Sequence, residues 1–344
     1  MTQKKTIVTI GAGIAGIEAS SVLSELGYRI VIVEKDMKIG GKVNNYFQLF
    51  PNGRSADEVR NYMDEKCQKN DFTIYKNTLI KEIRKSSGKF SLTTSHDDIL
   101  KADAVILANG FEYFDAQRKE EYGYRIYDNV ITSVDLEERL RLGLPVINKN
   151  GETPKRIGFV HCVGSRDEKS GNHYCSRVCC VTGVKQAIEL NKMIPDAAIY
   201  CFYIDLRMYS VEFESIYRNA QEKFGIQFIR GKVSEVSENS EGRLQVKAED
   251  TLIGRPLKME MDLLVLLIGM TAGKSNHDLK KIAAIETNSH GFFESQDWHL
   301  RKNSSSQPGI FVAGTCNGPM SIDESIEHAR SAAYEVHHYL SNGH

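Results

Sequence analysis

Apolar positions in the first 35 residues fall into three blocks. The run KTIVTI, residues 5–10, predicts a short buried strand. Residues 14–26 repeat at helical spacing and close at Gly27, and YRIVIVE, residues 28–34, predicts a second buried strand. Together they make one βαβ unit. Between about 72 and 108 come FTIYKN, KFSLTTS and the apolar ADAVILANG, divided by turn residues. The Gly/Pro-rich crossing from Gly143 to Pro154 predicts a domain boundary. A second α/β half follows, with strands at 156–164, 198–204, 226–231 and 261–269 and helices at 181–193 and 211–224. The tail offers a strand, GIFVAG, and a last amphipathic helix from Ser321 to about Leu340. Strands alternating with helices throughout predict parallel, doubly wound sheets, an α/β fold.

Composition narrows the function classes. The 344 residues suffice for two domains, and 41% hydrophobic with 26% charged residues is ordinary globular usage. Lys plus Arg (44) balances Asp plus Glu (45), so no overall field favours nucleic acid or an anionic membrane. The longest apolar run, LLVLLIGM, is too short to span a bilayer, so no transmembrane segment is expected. The basic, apolar N-terminus is interrupted by Glu18 and has no small-residue cleavage site, which argues against a secretory signal. A cytoplasmic, reducing location is therefore expected, where cysteines serve metals or catalysis more often than disulfides.

GAGIAG follows the first strand and opens the first helix, placing Gly11, Gly13 and Gly16 in the G-x-G-x-x-G pattern. Gly11 permits the tight turn, Gly13 lets a pyrophosphate approach the backbone and the positive helix end, and Gly16 permits close helix–strand packing. Ile14 and Ala15 lie within the same turn. Glu34 ends the second strand, suited to accept hydrogen bonds from ribose hydroxyls, with Lys35 beside it. Three further pieces favour FAD over NAD. Gly40-Gly41-Lys42 follows the acidic residue closely. Ala108-Asn109-Gly110 resembles the Ala-Thr-Gly strand end of two-dinucleotide flavoproteins, with Asn for Thr. The segment from Pro308 to Ala333 resembles the C-terminal flavin segment of that superfamily. Within it Gly314-Thr315 replaces the usual Gly-Asp. Ser321-x-x-Glu324 forms a capping box, so a helix N-terminus at Ser321 and Ile322 is expected to face the isoalloxazine. Ile80 is a backbone contact for adenine or simply a strand core residue.

Cys162, Cys175, Cys179 and Cys180 form C-x12-C-x3-C-C, four of the chain's seven cysteines. Four thiolates in one loop match the ligand count of a [4Fe–4S] cluster. A helix beginning just after Cys180, with Arg166 and Arg177, would offset the charge. Zinc and inert buried thiols stay open as alternatives, although the spacing lacks paired C-x2–4-C knuckles. His161 and His173 flank the cysteines as solvated loop residues or substitute ligands. Cys67, Cys201 and Cys316 are expected to be structural.

CVGSRDEKSGNHYCSRVCC, together with GIFVAGTCNGP, resembles the cluster loop and flavin segment of the A-type, flavin-binding subunit of heterodisulfide reductase. The resemblance covers residues 5 to about 339 and looks like the short core form found in heterodisulfide-reductase-like sulfur-oxidation complexes. It implies a thioredoxin-reductase-like, two-dinucleotide-domain flavoprotein. FAD would be held by 1–145 and 273–344, and an inserted Rossmann-like domain, 146–272, would carry the [4Fe–4S] loop. It implies an oxidoreductase subunit that exchanges electrons with other subunits of such a complex in disulfide, thiol or sulfur chemistry. Homodimers are common in the family, and the aromatic residues of the helix at 211–224 suit an interface, the alternative being a helix packed on its own sheet. The alternative is a stand-alone FAD-dependent pyridine-nucleotide oxidoreductase whose cysteines hold a structural metal.

Overall fold

The computed structural model describes residues 4–342. Its α-helices are α1 (Ile14–Glu25), α2 (Ala56–Lys69), α3 (Ser133–Arg141), α4 (Cys179–Met193), α5 (Val211–Glu222), α6 (Lys274–Ala283) and α7 (Ile322–Ser341). The chain forms two compact units. The first comprises residues up to 44, 57–112 and from 271 onward; the second comprises 45–56 and 113–270.

The first unit is built on a five-stranded parallel sheet in the order Ile310–Val312, Ala104–Leu107, Thr6–Ile10, Arg29–Val33, Phe72–Tyr75. On one face α1 and α7 approach through small residues, with Ala19 against Ala329, Ala332 and Ala333, all fully buried. The other face packs on Phe90 and Leu92 of a three-stranded meander, Ile80–Ser86, Lys89–Thr94 and Ile99–Ala102.

The second unit repeats the plan. Its parallel sheet runs Val130–Thr132, Leu263–Ile268, Arg156–Val163, Ala198–Tyr203, Gln227–Arg230. Helices α3, α4 and α5 cover one face, and an antiparallel meander, Val233–Glu238, Leu244–Asp250 and Arg255–Met261, covers the other. The crossing from Gly143 to Pro154 lies inside this unit, because Val130–Thr132 already pairs with Leu263–Ile268. Residues 45–56 belong here too. The Phe47 N–H donates to Glu137 at 2.9 Å, and Lys185 Nζ donates to Gln48 O at 2.8 Å.

One expectation is corrected and one alternative is decided. The sheets are not parallel throughout, since each unit adds an antiparallel meander whose short turns permit only that arrangement. The aromatic residues of α5 do not face outward. Phe213 and Tyr217 pack on the unit's own core, Tyr217 edge-on to Phe228, because the helix needs an apolar face to cover its sheet. Among the described residues no helix is long and apolar enough to cross a membrane.

Buried Glu137 on α3 accepts from Lys185 Nζ at 2.8 and 2.9 Å and from Gln186 Nε2 at 2.7 Å on α4. Glu137→Ala would remove the carboxylate that accepts two of the buried ammonium's hydrogen bonds, leaving it the Gln48 carbonyl and Glu189 at 3.3 Å. It is expected to cost about 3–5 kcal/mol, read as a lower urea midpoint.

Candidate flavin and cysteine sites

Four loops meet at the carboxyl end of the first sheet. At Gly11, φ is +110°, and a Cβ would lie 2.3 Å from Ala108 O; at Gly16 it would lie 1.9 Å from Gly11 O. The turn, strand and helix are therefore in backbone contact. Gly13 caps α1 without a side-chain bond, and a Cβ there would meet nothing within 4 Å. Open space at a helix N-terminus, whose first N–H groups have no acceptor within the helix, fits a pyrophosphate.

The remaining loops converge on this turn. Gly40 N–H donates to Ala12 O at 2.7 Å, and a Cβ on Gly41 would stand 3.2 Å from Gly13 Cα. Glu34 accepts from Ala12 N–H at 2.6 Å and from Asp36 N–H at 2.9 Å, which leaves lone pairs for ribose hydroxyls. Gly314 adopts φ +73°, and a Cβ would press on Ala15 Cβ at 2.6 Å; the nearest atom to a Cβ on Gly110 would be Thr315 Oγ1 at 3.9 Å. Lys42 lies 5.0 Å above the Phe111 ring, and burial lowers its pKa. Lys35 is exposed. Ile80 belongs to the core beneath the sheet, while Thr78 N–H nearby donates to Glu34 O at 2.9 Å.

Asn109 takes an unforeseen role. Its Nδ2 donates to Ser275 Oγ at 2.8 Å and Asn276 Oδ1 at 2.6 Å, anchoring α6, while its Oδ1 is buried without a partner. Ser321 and Glu324 form the capping box that opens α7, with Ile322 as its first residue. Cys316 is fully buried and donates to Leu107 O and Ala313 O, and burial pushes its thiol up to about 12.

His328 carries no signal in the sequence; one histidine on a face of small residues has no distinguishing spacing. Its Nδ1 accepts from Gly314 N–H at 2.9 Å, and burial holds its pKa down to about 4. The ring is neutral in the folded chain at pH 6.5 while the unfolded chain is taking up a proton. Stability is therefore complete above 6.5 and is lost as pH falls toward 4. In flavin-free protein, His328→Asn is expected to flatten this loss, measured as denaturation midpoints from pH 7 to 4.

In the second unit Cys162 sits at the end of Arg156–Val163 with φ +61°, where the pairing register shifts. Helix α4 begins two residues earlier than its periodicity predicts, so Cys179 and Cys180 lie in its first turn, and Val178 supplies no side-chain cap. The Cys179 sulfur is hydrogen-bonded to those of both Cys162 and Cys180. Bonding to Cys179 lowers the Cys162 and Cys180 thiols and raises that of Cys179. Cys175 stands on the preceding turn, its Sγ accepting from Arg177 N–H at 3.3 Å. His161 is buried, not solvated; its ring packs where a Cβ on Gly183 would touch it, and neither nitrogen makes a well-formed hydrogen bond. Ser165 Oγ is likewise buried without a partner. Arg166 pairs with Asp205, and the Arg177 guanidinium lies 5.5 Å from the Tyr209 ring centre. Burial raises the Cys201 thiol far above its usual value, and Cys67 is half-buried on α2.

Among the described residues no group of three or more His, Cys, Asp or Glu side chains is arranged to hold a metal ion. The donor chemistry nevertheless suits a thiolate-ligated cluster. Three sulfurs have already converged at an uncapped helix N-terminus, the fourth is on the adjoining turn, and buried polar atoms nearby lack partners.

Two parallel Rossmann-type sheets, the first with a Gly-rich turn and its acidic strand end, define a thioredoxin-reductase-like two-domain flavoprotein fold. The Lactococcus lactis thioredoxin reductase shares that fold, with a TM-score of 0.68 and 17% identity over 99% of this chain and 100% of that one. The chain belongs to the pyridine nucleotide-disulphide oxidoreductase family, whose model matches residues 1–136 and 180–335 and implies FAD.

The resemblance to the A-type subunit of heterodisulfide reductase is borne out. The A-type subunit of the H(2)/formate:CoB-CoM heterodisulfide,ferredoxin reductase of Methanococcus maripaludis is 39% identical over 71% of this chain and 38% of its own length. The A-type iron-sulfur subunit of the CoB–CoM heterodisulfide reductase of Methanocaldococcus jannaschii is 31% identical over 98% of this chain and 65% of its own length. The chain thus spans from about a third to two thirds of the length of these relatives.

Proposed function

We propose that the chain is an electron-transfer subunit of a heterodisulfide-reductase-like complex acting on disulfide, thiol or sulfur compounds, with FAD and a [4Fe–4S] cluster as its redox groups. When bound, FAD supplies exchange between two-electron and one-electron chemistry, and the cluster supplies one-electron carriage. The Gly11–Gly16 turn, Glu34, Gly41, Asn109, Gly314 and the N-terminus of α7 would hold the flavin. Cys162, Cys175, Cys179 and Cys180 would hold the cluster. Assembly with other subunits, and a homodimeric state, belong to the same proposal.

One observation carries it. The thiols occupy the strand-to-helix turn of the second sheet, at the first turn of α4, where a Rossmann unit receives a dinucleotide pyrophosphate. The family's own description favours a second reading, a stand-alone pyridine-nucleotide oxidoreductase. Against it, Cys316 in the flavin segment is fully buried with its thiol pushed up to about 12, unsuited to disulfide exchange. Anaerobic purification with iron, sulfide and flavin measured per chain tests the proposal, together with rapid mixing against NADH and NADPH. Yellow, iron-free protein reduced stoichiometrically by either nucleotide would establish the second reading instead.

A further inference from the structure

His161 shares with Ile157 and Phe159 the strand face that packs against α4 in the second unit. The ring is 5% exposed and fills the notch that Gly183 leaves in that helix. A Cβ on Gly183 would stand 3.0 Å from His161 Cε1, 3.2 Å from its Nε2 and 2.4 Å from Leu267 Cδ1. Glycine inside a helix is unfavourable, and here its missing side chain makes room for the imidazole. Gly183 follows Cys180 by three residues, so the two lie on the same side of α4.

An imidazole carries at least one N–H in every protonation state. Neither nitrogen of His161 has a well-formed partner, and a buried donor is costly to leave unmatched. The acceptor within its reach is sulfur. The Cys180 thiol is held down first by Cys179 and, against the opposing effect of burial, also by the His161 ring. As a thiol, Cys180 is itself a weak donor, directed at Asp205 O at 4.0 Å. A thiolate on iron has no proton and only accepts, which gives the orphaned N–H its match.

We propose that His161 is a positioning residue for the cluster: its ring N–H donates to the Cys180 sulfur when that sulfur ligates iron, and thereby raises the cluster's reduction potential. The inference rests on the cluster reading above and adds to it a residue outside the four ligands. Reduction makes the cluster more negative, and a donor aimed at a ligand sulfur stabilises that state.

Pulsed EPR of the anaerobic full chain, reduced with titanium(III) citrate and labelled with nitrogen-15 in histidine alone, tests the contact in wild type. A weak nitrogen coupling to the reduced cluster is expected, lost in His161→Leu. No coupling in wild type, or the strong coupling of an iron-bound nitrogen, overturns the proposal. Redox titration of the same signal reads the effect. His161→Leu removes the donor and is expected to lower the reduction equilibrium constant about ten-fold, about 59 mV for one electron. His161→Gln keeps an N–H and should lie nearer wild type. A Leu variant at wild-type potential, or a Gln variant displaced as far as Leu, overturns the proposal while the cluster reading stands. Iron-free wild type overturns both together.

Discussion

Cys179→Ser is expected to empty the protein of iron while leaving it folded and yellow. Serine differs from cysteine by one atom, so the first turn of α4 keeps its packing. The side chain then lacks the thiolate that iron–sulfur clusters require. Anaerobically purified wild type is expected to carry about four iron atoms per chain, and Cys179→Ser less than about a tenth of that. Cys162→Ser should behave alike, because its sulfur belongs to the same hydrogen-bonded group. Cys67→Ser and Cys316→Ser are the controls: both thiols belong to the first unit and should leave iron unchanged. Equal iron in all four variants, or none in wild type, would remove the cluster from the function proposed above.

The second large effect separates binding from folding within one glycine motif. Gly13→Ala adds a methyl where nothing stands within 4 Å, so the flavin-free chain should melt like wild type. The methyl then occupies the space a pyrophosphate would fill, and FAD affinity is expected to drop about 100-fold, some 2.7 kcal/mol. Gly16→Ala places its methyl 1.9 Å from Gly11 O, a backbone atom that cannot turn aside. That variant should lose more than about 4 kcal/mol of stability and accumulate poorly. Flavin titration beside thermal melts reads both quantities. Gly13→Ala binding FAD normally would place the cofactor elsewhere.

The flavin half is largely legible in the sequence because its chemistry is local. Gly11, Gly13, Gly16 and Glu34 constrain a backbone turn within one βαβ unit, and the Ser321–Glu324 cap announces its own helix. The meanders stay hidden when every strand is treated as parallel. One signal is present: Ser87 and Gly88, at φ +50° and +76°, make the two-residue turn that joins Ile80–Ser86 to Lys89–Thr94. The start of α4 reads late because Cys179 and Cys180 look like loop chemistry rather than a first turn. The network of Glu137, Lys185 and Glu189 leaves no trace in periodicity, since charges on helices ordinarily face water; only the packing of α3 and the 45–56 hairpin on α4 buries them.

The chain passes between its two units four times, after residues 44, 56, 112 and 270. The first unit therefore waits for α7, whose alanines close the face of α1, before its sheet is covered on both sides. During synthesis the Gly-rich turn leaves the ribosome more than 300 residues ahead of the helix that completes its surroundings. Nascent chains stalled before Ile322 should consequently be protease-sensitive around the first βαβ unit, and neither half can be obtained by a single cut.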